Sequence, residues 1–416
     1  MAGRLRVIAQ RLLESKKPKD RRTALIELYG FEPRERDLPD LYWALRQSYQ
    51  DEPDRGCETR CTLLAILKEI PSPATVKFLQ ELYPTLPRQR SILESVLVAF
   101  TAINSEQALR AMSRVLLQAG MDLGSPMDSW LLLLPVIKDP KNAAAMFPDV
   151  LCLLSNRTYR IGLYGVAAVA LNAGILKADQ LRPMRGRMLG DFREGQRRYA
   201  KMKLQGKELA EPVLLLAAIV TVMRAGSDLP EIHKAIRSAV DHDSAYVAFS
   251  AYRTCRKLGW EIEPGAIERL AADPSTRLDL FEDLEWTGQG SQFPLKWRTQ
   301  ESFAEGDMVR WLAVECNFRH AAHKIQLVET RTVRLLGRQG RIYVYKYKYP
   351  WLTREWLIGI SGPQPLDVRQ MVTAGAGTFS RNSSIRHSAV AEHLQLMEHE
   401  MRSRLAEARR EGKTAR

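Results

Sequence analysis

The sequence predicts a mainly α fold in which stacked helix pairs are followed by a small antiparallel β-sheet and a C-terminal helix. Three observations carry this. From the N-terminus to about residue 287, apolar residues recur at helical spacing in short segments separated by Pro, Gly and Asp-Pro breaks. After Gly288-Gln289-Gly290-Ser291 the period falls to two, as in Arg341-Ile342-Tyr343-Val344-Tyr345-Lys346-Tyr347-Lys348-Tyr349. From Ala389 onward, Val390, Leu394, Met397, Met401 and Leu405 return to helical spacing. The expected organisation is a helical region over 1–287, a small antiparallel β domain over 288–372, and a flexible loop with a C-terminal helix and frayed tail over 373–416.

Helices are expected at 3–15, 22–29, 38–49, 57–70, 73–83, 88–103, 105–119 and 127–137. They continue at 140–155, 157–173, 178–204, 208–225, 229–241, 244–258, 264–272 and 275–284. Pro71-Ser72-Pro73, Pro84, Pro87, Asp139-Pro140, Gly174, Gly226-Ser227 and Asp273-Pro274 end these segments or supply first turns. Within 91–100, Ile92, Leu93, Val96, Leu97 and Phe100 form the wide stripe of a core-facing helix.

The stretches Tyr159…Leu171-Asn172 and Tyr246…Leu258-Gly259 lie 87 residues apart, each after a turn. Half of that interval, about 43 residues, falls within the period of HEAT and armadillo helix pairs. Over its first two-thirds the chain resembles the HEAT-like α-solenoid class. The resemblance implies an elongated right-handed stack of helix pairs and no particular chemistry.

In the β region, strands are expected to dominate from about 307 to 362. Lys324 to Leu336 is rich in Val, Ile and Thr, and Arg338-Gln339-Gly340 reads as a turn. Glu355-Trp356-Leu357-Ile358-Gly359-Ile360 reads as a further strand, ended by Gly362-Pro363. Tyr343, Tyr345, Tyr347 and Tyr349 share one face, and Ile342, Val344, Lys346 and Lys348 the other. Residues 373–388, with Gly375, Gly377 and Asn382-Ser383-Ser384, read as a flexible loop. The run from Trp311-Leu312-Ala313 through Lys324-Ile325-Gln326-Leu327-Val328 to Trp356…Gly359-Ile360-Ser361-Gly362-Pro363 resembles the C-terminal part of bacterial HEAT-repeat proteins. It departs from them at Glu315-Cys316-Asn317-Phe318-Arg319-His320, which is basic and lacks their proline. That family brings no active site to transfer.

Composition narrows the function classes. The chain has 416 residues, 45% hydrophobic and 26% charged, so it is neither disordered throughout nor fibrous. Five cysteines (Cys57, Cys61, Cys152, Cys255, Cys316) are an odd, scattered set, which argues against a disulfide framework and for a reducing compartment. The N-terminal apolar residues are interrupted by Arg and Gln, and the longest near-apolar run, 161–176, falls short of a membrane span. The expected location is cytoplasmic.

No Gly-x-Ser-x-Gly, Walker-type loop or dinucleotide fingerprint is present, no cofactor is expected, and whether the protein is an enzyme stays open. Cys316, His320 and His323 are the nearest approach to a zinc cluster, but a fourth ligand is missing, so no bound metal is expected. Asp241-His242-Asp243 has the residue types of a helical metal site, and the plainer reading is that Asp243 or Ser244 caps the helix that follows.

The formal net charge of +14 points to an anionic partner. Residues 182–207 hold nine Lys or Arg against Asp191 and Glu194, and 319–348 hold eight against Glu329. Each segment nets +7, and together they equal the whole-chain excess. Arg193, Arg197 and Lys201 recur every fourth residue, which puts them in one row on a helix, expected to face solvent. Two functions fit. The first is a non-enzymatic scaffold whose macromolecular partner is a protein, and the second is a nucleic-acid binder of the HEAT-like DNA-repair type. In the second, Arg193, Arg197 and Lys201 would hold phosphates and the Tyr row, with Tyr343 and Tyr345, would stack bases, Lys346 and Lys348 lying on the opposite face; Arg341 is a further binding candidate. A plain objection is that the Tyr row is the better candidate for burial.

Overall fold

The computed structural model describes residues 3–48, 53–86, 90–123, 130–155, 157–205, 207, 209–315, 324–335, 338–348, 356–365, 376–379, 390–399 and 402–403. Its helices begin where the sequence places its breakers. Pro18, Pro53, Pro73, Pro140, Pro230, Pro264 and Pro274 each open a helix, where the missing N–H costs nothing and the fixed φ suits the first turn. Side chains cap several of these starts: Ser72 Oγ accepts from the Thr75 amide (3.3 Å), Asp139 Oδ1 from Asn142 (3.2 Å) and Asp273 Oδ1 from Ser275 (2.8 Å).

The chain forms two compact units, residues 1–192 with 221–229, and 193–220 with 230–416. The first holds α1 (Arg4–Glu14), α2 (Pro18–Tyr29), α3 (Leu38–Ser48), α4 (Pro53–Leu67), α5 (Pro73–Leu82), α6 (Arg90–Ile103), α7 (Glu106–Leu123) and α8 (Trp130–Lys138). It continues with α9 (Pro140–Ala143), α10 (Phe147–Ser155) and α11 (Arg157–Asn172). The division then passes through α12 (Arg185–Leu204) and α13 (Ala210–Val222). In the first unit, α1, α3, α5 and α7 touch in succession, as do α2, α4, α6 and α8, and consecutive helices pair across the two rows. The stripe on α6 faces inward as expected: Ile92, Leu93, Val96, Leu97 and Phe100 are fully buried.

The second unit adds α14 (Pro230–Ala239), α15 (Ala245–Lys257), α16 (Pro264–Ala272), α17 (Pro274–Trp286) and α18 (Gln300–Glu315). Its sheet is β1 (Lys324–Leu335), β2 (Arg338–Lys348), β3 (Leu357–Pro365) and β4 (Ala376–Phe379), antiparallel in the order 1-2-3-4. The change of period near residue 287 therefore falls inside one unit. No helix among the described residues is long and apolar enough to cross a membrane.

Four local expectations are corrected. Residues 300–315, including Trp311, Leu312 and Ala313, are helical, so strands begin only at Lys324. Arg338-Gln339-Gly340 opens β2: Leu335 pairs with Arg338, which puts the connection at 336–337, outside the described residues. β3 continues past Gly362-Pro363, because a register shift opposite Arg341–Tyr343 accommodates the pair and pairing resumes at Gln364. Gly362 has φ +111°, and a Cβ there would meet the Arg341 carbonyl at 2.7 Å, so the position requires glycine. Residues 376–379, inside the expected loop, pair with β3 as a fourth strand.

Both faces of the sheet are covered. Tyr343, Tyr345, Tyr347 and Leu357 pack on Ala304, Met308 and Leu312 of α18. Ile342, Val344, Ile358 and Ile360 pack on Val390 of the helix over residues 390–399, with Leu394 against them. Gly359 admits α18 closely, since a Cβ there would overlap the Met308 thioether. Asp307, buried on α18, accepts from Ser361 Oγ at 2.9 Å.

Two outcomes follow from this packing. Arg277, 1% exposed, donates to the Ala271, Ala272 and Ser302 carbonyls and to Glu305 Oε2. Arg277→Met orphans those acceptors and should cost about 3–5 kcal/mol in urea unfolding, the range for breaking a buried pair; a loss under about 1 kcal/mol would show that the group is dispensable. Burial raises the Asp307 carboxyl above its ordinary value, despite the Ser361 hydrogen bond and Arg310. A raised acid favours folding fully below its unfolded pKa, and that contribution is lost as pH rises through the folded value. Asp307→Asn should therefore raise Tm relative to the native chain near pH 7 and lose that advantage near pH 4. An equal difference at both pH values would contradict it.

Candidate functional site

The basic row sits on α12, and the packing of that helix dictates which way it points. Met188, Phe192, Gly195 and Tyr199 fall on the buried face. Gly195 is there because a Cβ would come within 2.9 Å of Leu216 Cδ2 on α13. At the start of the helix Asp191 is locked by Arg160, whose Nε and Nη2 lie 2.6 and 3.1 Å from its carboxylate, and by the Tyr164 hydroxyl at 2.7 Å. Burial and the Asp191 hydrogen bond push the Tyr164 phenol well up, so it stays a donor. With one face fixed inward, Arg193, Arg197 and Lys201 all face solvent, as the spacing predicts. Four residues of helix rise separate successive members by roughly 6 Å along the axis.

The surrounding acids leave most of this row uncompensated. Arg197 pairs only with Glu194 on its own helix, at 2.8 Å, and both are exposed. Arg193 and Lys201 have no acidic partner among the described residues. Their neighbours Arg198 and Lys203 do: Arg198 Nη2 lies 2.8 Å from Glu211 Oε2, and Lys203 donates to Asp243. Exposed pairs of this kind contribute little to stability.

Asp243 does not cap the following helix, contrary to expectation, and Ser244 makes no side-chain cap either. Burial pushes the Asp243 carboxyl up, but hydrogen bonds from Lys203 and Tyr199 outweigh it and hold it below the ordinary carboxylate value. The Ser244 amide donates instead to His242 Nδ1 at 3.0 Å. The His242 ring lies 5.0 Å from Tyr199, and burial lowers its pKa, so the imidazole is neutral at pH 7. This cluster ties the end of α12 to the turn before α15.

The β-region candidates fare differently. Tyr343 and Tyr345 are each 2% exposed and cannot stack on a ligand. The Tyr343 hydroxyl donates to Gln300 Oε1 (3.3 Å) and that of Tyr345 to the Glu301 carbonyl (3.4 Å), both at the start of α18. They attach the sheet to the helix, as the packing objection anticipated. Lys346 and Lys348 do lie on the opposite face, where each ammonium sits 4.8 Å from the Trp356 ring. Arg341 is exposed. Cys316, His320 and His323 lie outside the described residues.

One feature of the first unit escapes a reading by segments. A cleft lined by Arg4, Arg6, Arg34 and Arg36 joins two stretches whose basic residues are not clustered in sequence. Comparison with known proteins gave no match: no family model fits the chain, and no curated protein or solved structure is significantly similar to it.

Proposed function

We propose that the protein is a non-enzymatic helical scaffold that docks a macromolecular partner along α12, and that this partner is a protein presenting an acidic face. The observation that carries the reading is the solvent-facing row of Arg193, Arg197 and Lys201, in which two of the three cations lack an acidic partner among the described residues. The successive contacts of odd with odd and even with even helices in the first unit support a HEAT-like solenoid, an architecture that binds partners along extended surfaces. Cys61, Cys152 and Cys255, which form no disulfide among the described residues, support a cytoplasmic setting.

The nucleic-acid reading keeps the row and Arg341 but loses its stacking platform, since the two tyrosines assigned to it are core residues. Without aromatic partners for bases, what remains is a straight line of charge, which suits carboxylates at helical spacing on a partner. No cofactor enters this function.

Replacing all three residues, R193E/R197E/K201E, tests both readings. Exposed substitutions of this kind shift stability by about 0.5 kcal/mol or less, so Tm should hardly move. Binding to poly-glutamate at low salt should fall at least tenfold, and random-sequence duplex DNA should bind neither form. DNA binding whose salt slope drops by about 2.7 in the variant, near 0.9 per lost phosphate contact, would replace the protein reading with the nucleic-acid one. If neither probe binds the native chain, the row is a solvated face and the docking proposal fails.

A further inference from the structure

The cleft in the first unit is a second basic surface, independent of α12. It is open, about 900 Å³, and is formed by the start of α1 and the connection from α2 to α3. Four guanidinium groups line it, from Arg4, Arg6, Arg34 and Arg36, together with the carboxylates of Glu32, Asp37 and Asp40. In sequence these charges nearly cancel. In the structure Arg6 and Asp40 lie against each other, which leaves Arg4, Arg34 and Arg36 facing Glu32 and Asp37.

Asp37 accepts from the Arg34 amide at 2.9 Å, which closes the 3-10 turn over Glu35–Asp37. Asp40 lies 3.7 Å from Arg6 and abuts the start of α1, where a Cβ on Gly3 would stand 2.5 Å from its Oδ2. Arg6 is held a second time by the Trp43 ring, 4.5 Å from its guanidinium. These contacts fix the wall of the cleft. Arg4 and Arg36 are exposed and have no acidic partner among the described residues.

α1 starts at Gly3 with no side-chain cap and no acid in its own first turn, and Asp40 of α3 brings a carboxylate to that end. One further feature favours an anion. Guanidinium forks match phosphate oxygens two at a time, which a single ammonium cannot do. The walls are polar, unlike the mostly apolar pockets that hold bases, rings or acyl chains. A charge-dense ligand with little apolar surface fits these walls.

We propose that this cleft binds a compact oligophosphate, with Arg4, Arg34 and Arg36 as its ligands and Arg6 as a positioned fourth cation. The recognised chemistry is a run of adjacent phosphates, and it does not depend on the docking role of α12.

Isothermal titration of the full chain with tripolyphosphate, at low salt, tests this. Citrate serves as a polycarboxylate control. Saturable one-to-one binding is expected, at least tenfold weaker in R4Q/R36Q and unchanged in R193E/R197E/K201E. Both cleft arginines are exposed, so the double variant should melt with the native chain. Trp43 beside Arg6 gives a fluorescence readout in the native chain, and that response should vanish in W43F while calorimetric binding persists. Absence of saturable binding, or equal affinity in R4Q/R36Q, overturns the site. Citrate binding as tightly as tripolyphosphate overturns the phosphate assignment, and binding lost only in R193E/R197E/K201E moves the ligand to α12.

Discussion

Arg277 is the charged group around which the second unit closes. It carries five N–H donors in a rigid fork, and the structure engages four of them with two carbonyls from α16, a carbonyl from α18 and the Glu305 carboxylate. The Trp297 ring covers its guanidinium at 4.7 Å. A buried cation is tolerable only when its hydrogen bonds are met this fully. Its effect is positional: the end of α16 and the start of α18 are both tied to one side chain of α17. From that anchored start α18 presents Ala304, Met308 and Leu312 to the sheet, and Gln300 and Glu301 receive the two tyrosine hydroxyls. The helix cluster around Phe249, Leu278, Leu284, Phe293 and Phe303 and the tyrosine face of the sheet are thus joined through one helix.

That arrangement explains why the second basic segment offers less than its charge suggests. A strand that alternates Tyr with Ile, Val and Lys reads as one buried and one open face. Here the helix over residues 390–399 covers part of the second face, with Val390 on Ile342, Val344, Ile358 and Ile360. His393 of that helix is buried and lies 2.9 Å from the Gly362 carbonyl through Nε2. The lysines occupy the end of the face and lie against Trp356, and Arg331 pairs with Glu329 at 2.6 Å. Three of the strand cations thus have local partners, while Arg334 and Arg341 are exposed.

Much of the helical region was legible because its helices each bury one stripe and open at a proline or a polar cap. The segment 300–315 was not, and the reason is physical. Phe303 and Gly306 meet the α17 side, where a Cβ on Gly306 would stand 3.1 Å from Leu278 Cγ, while Met308 and Leu312 meet the sheet. A helix packed on two sides carries apolar residues around its axis and shows no single stripe. The strand β4 was missed for a related reason: Ala376-Gly377-Thr378-Phe379 is too short and glycine-rich to alternate visibly, and only pairing with β3 makes it a strand. The cap expected at Asp243 failed because a tertiary partner, Lys203, took the carboxylate that local sequence assigned to the helix end.

Of the sites, the α12 row was legible and the cleft was not, and the contrast shows what segment charge measures. Residues 182–207 and 319–348 carry the same excess, and in the first Arg193 and Lys201 stand on one face with no acidic partner among the described residues. The stretches that line the cleft hold acids and bases in near balance, so counting them shows nothing. Geometry decides which groups are paired: Asp37 accepts from an amide, Asp40 meets Arg6 and the start of α1, and Arg4 and Arg36 line one open volume with no acidic partner among the described residues. Net charge along the chain counts groups, whereas an anion responds to the potential that is left after each carboxylate has found its nearest donor.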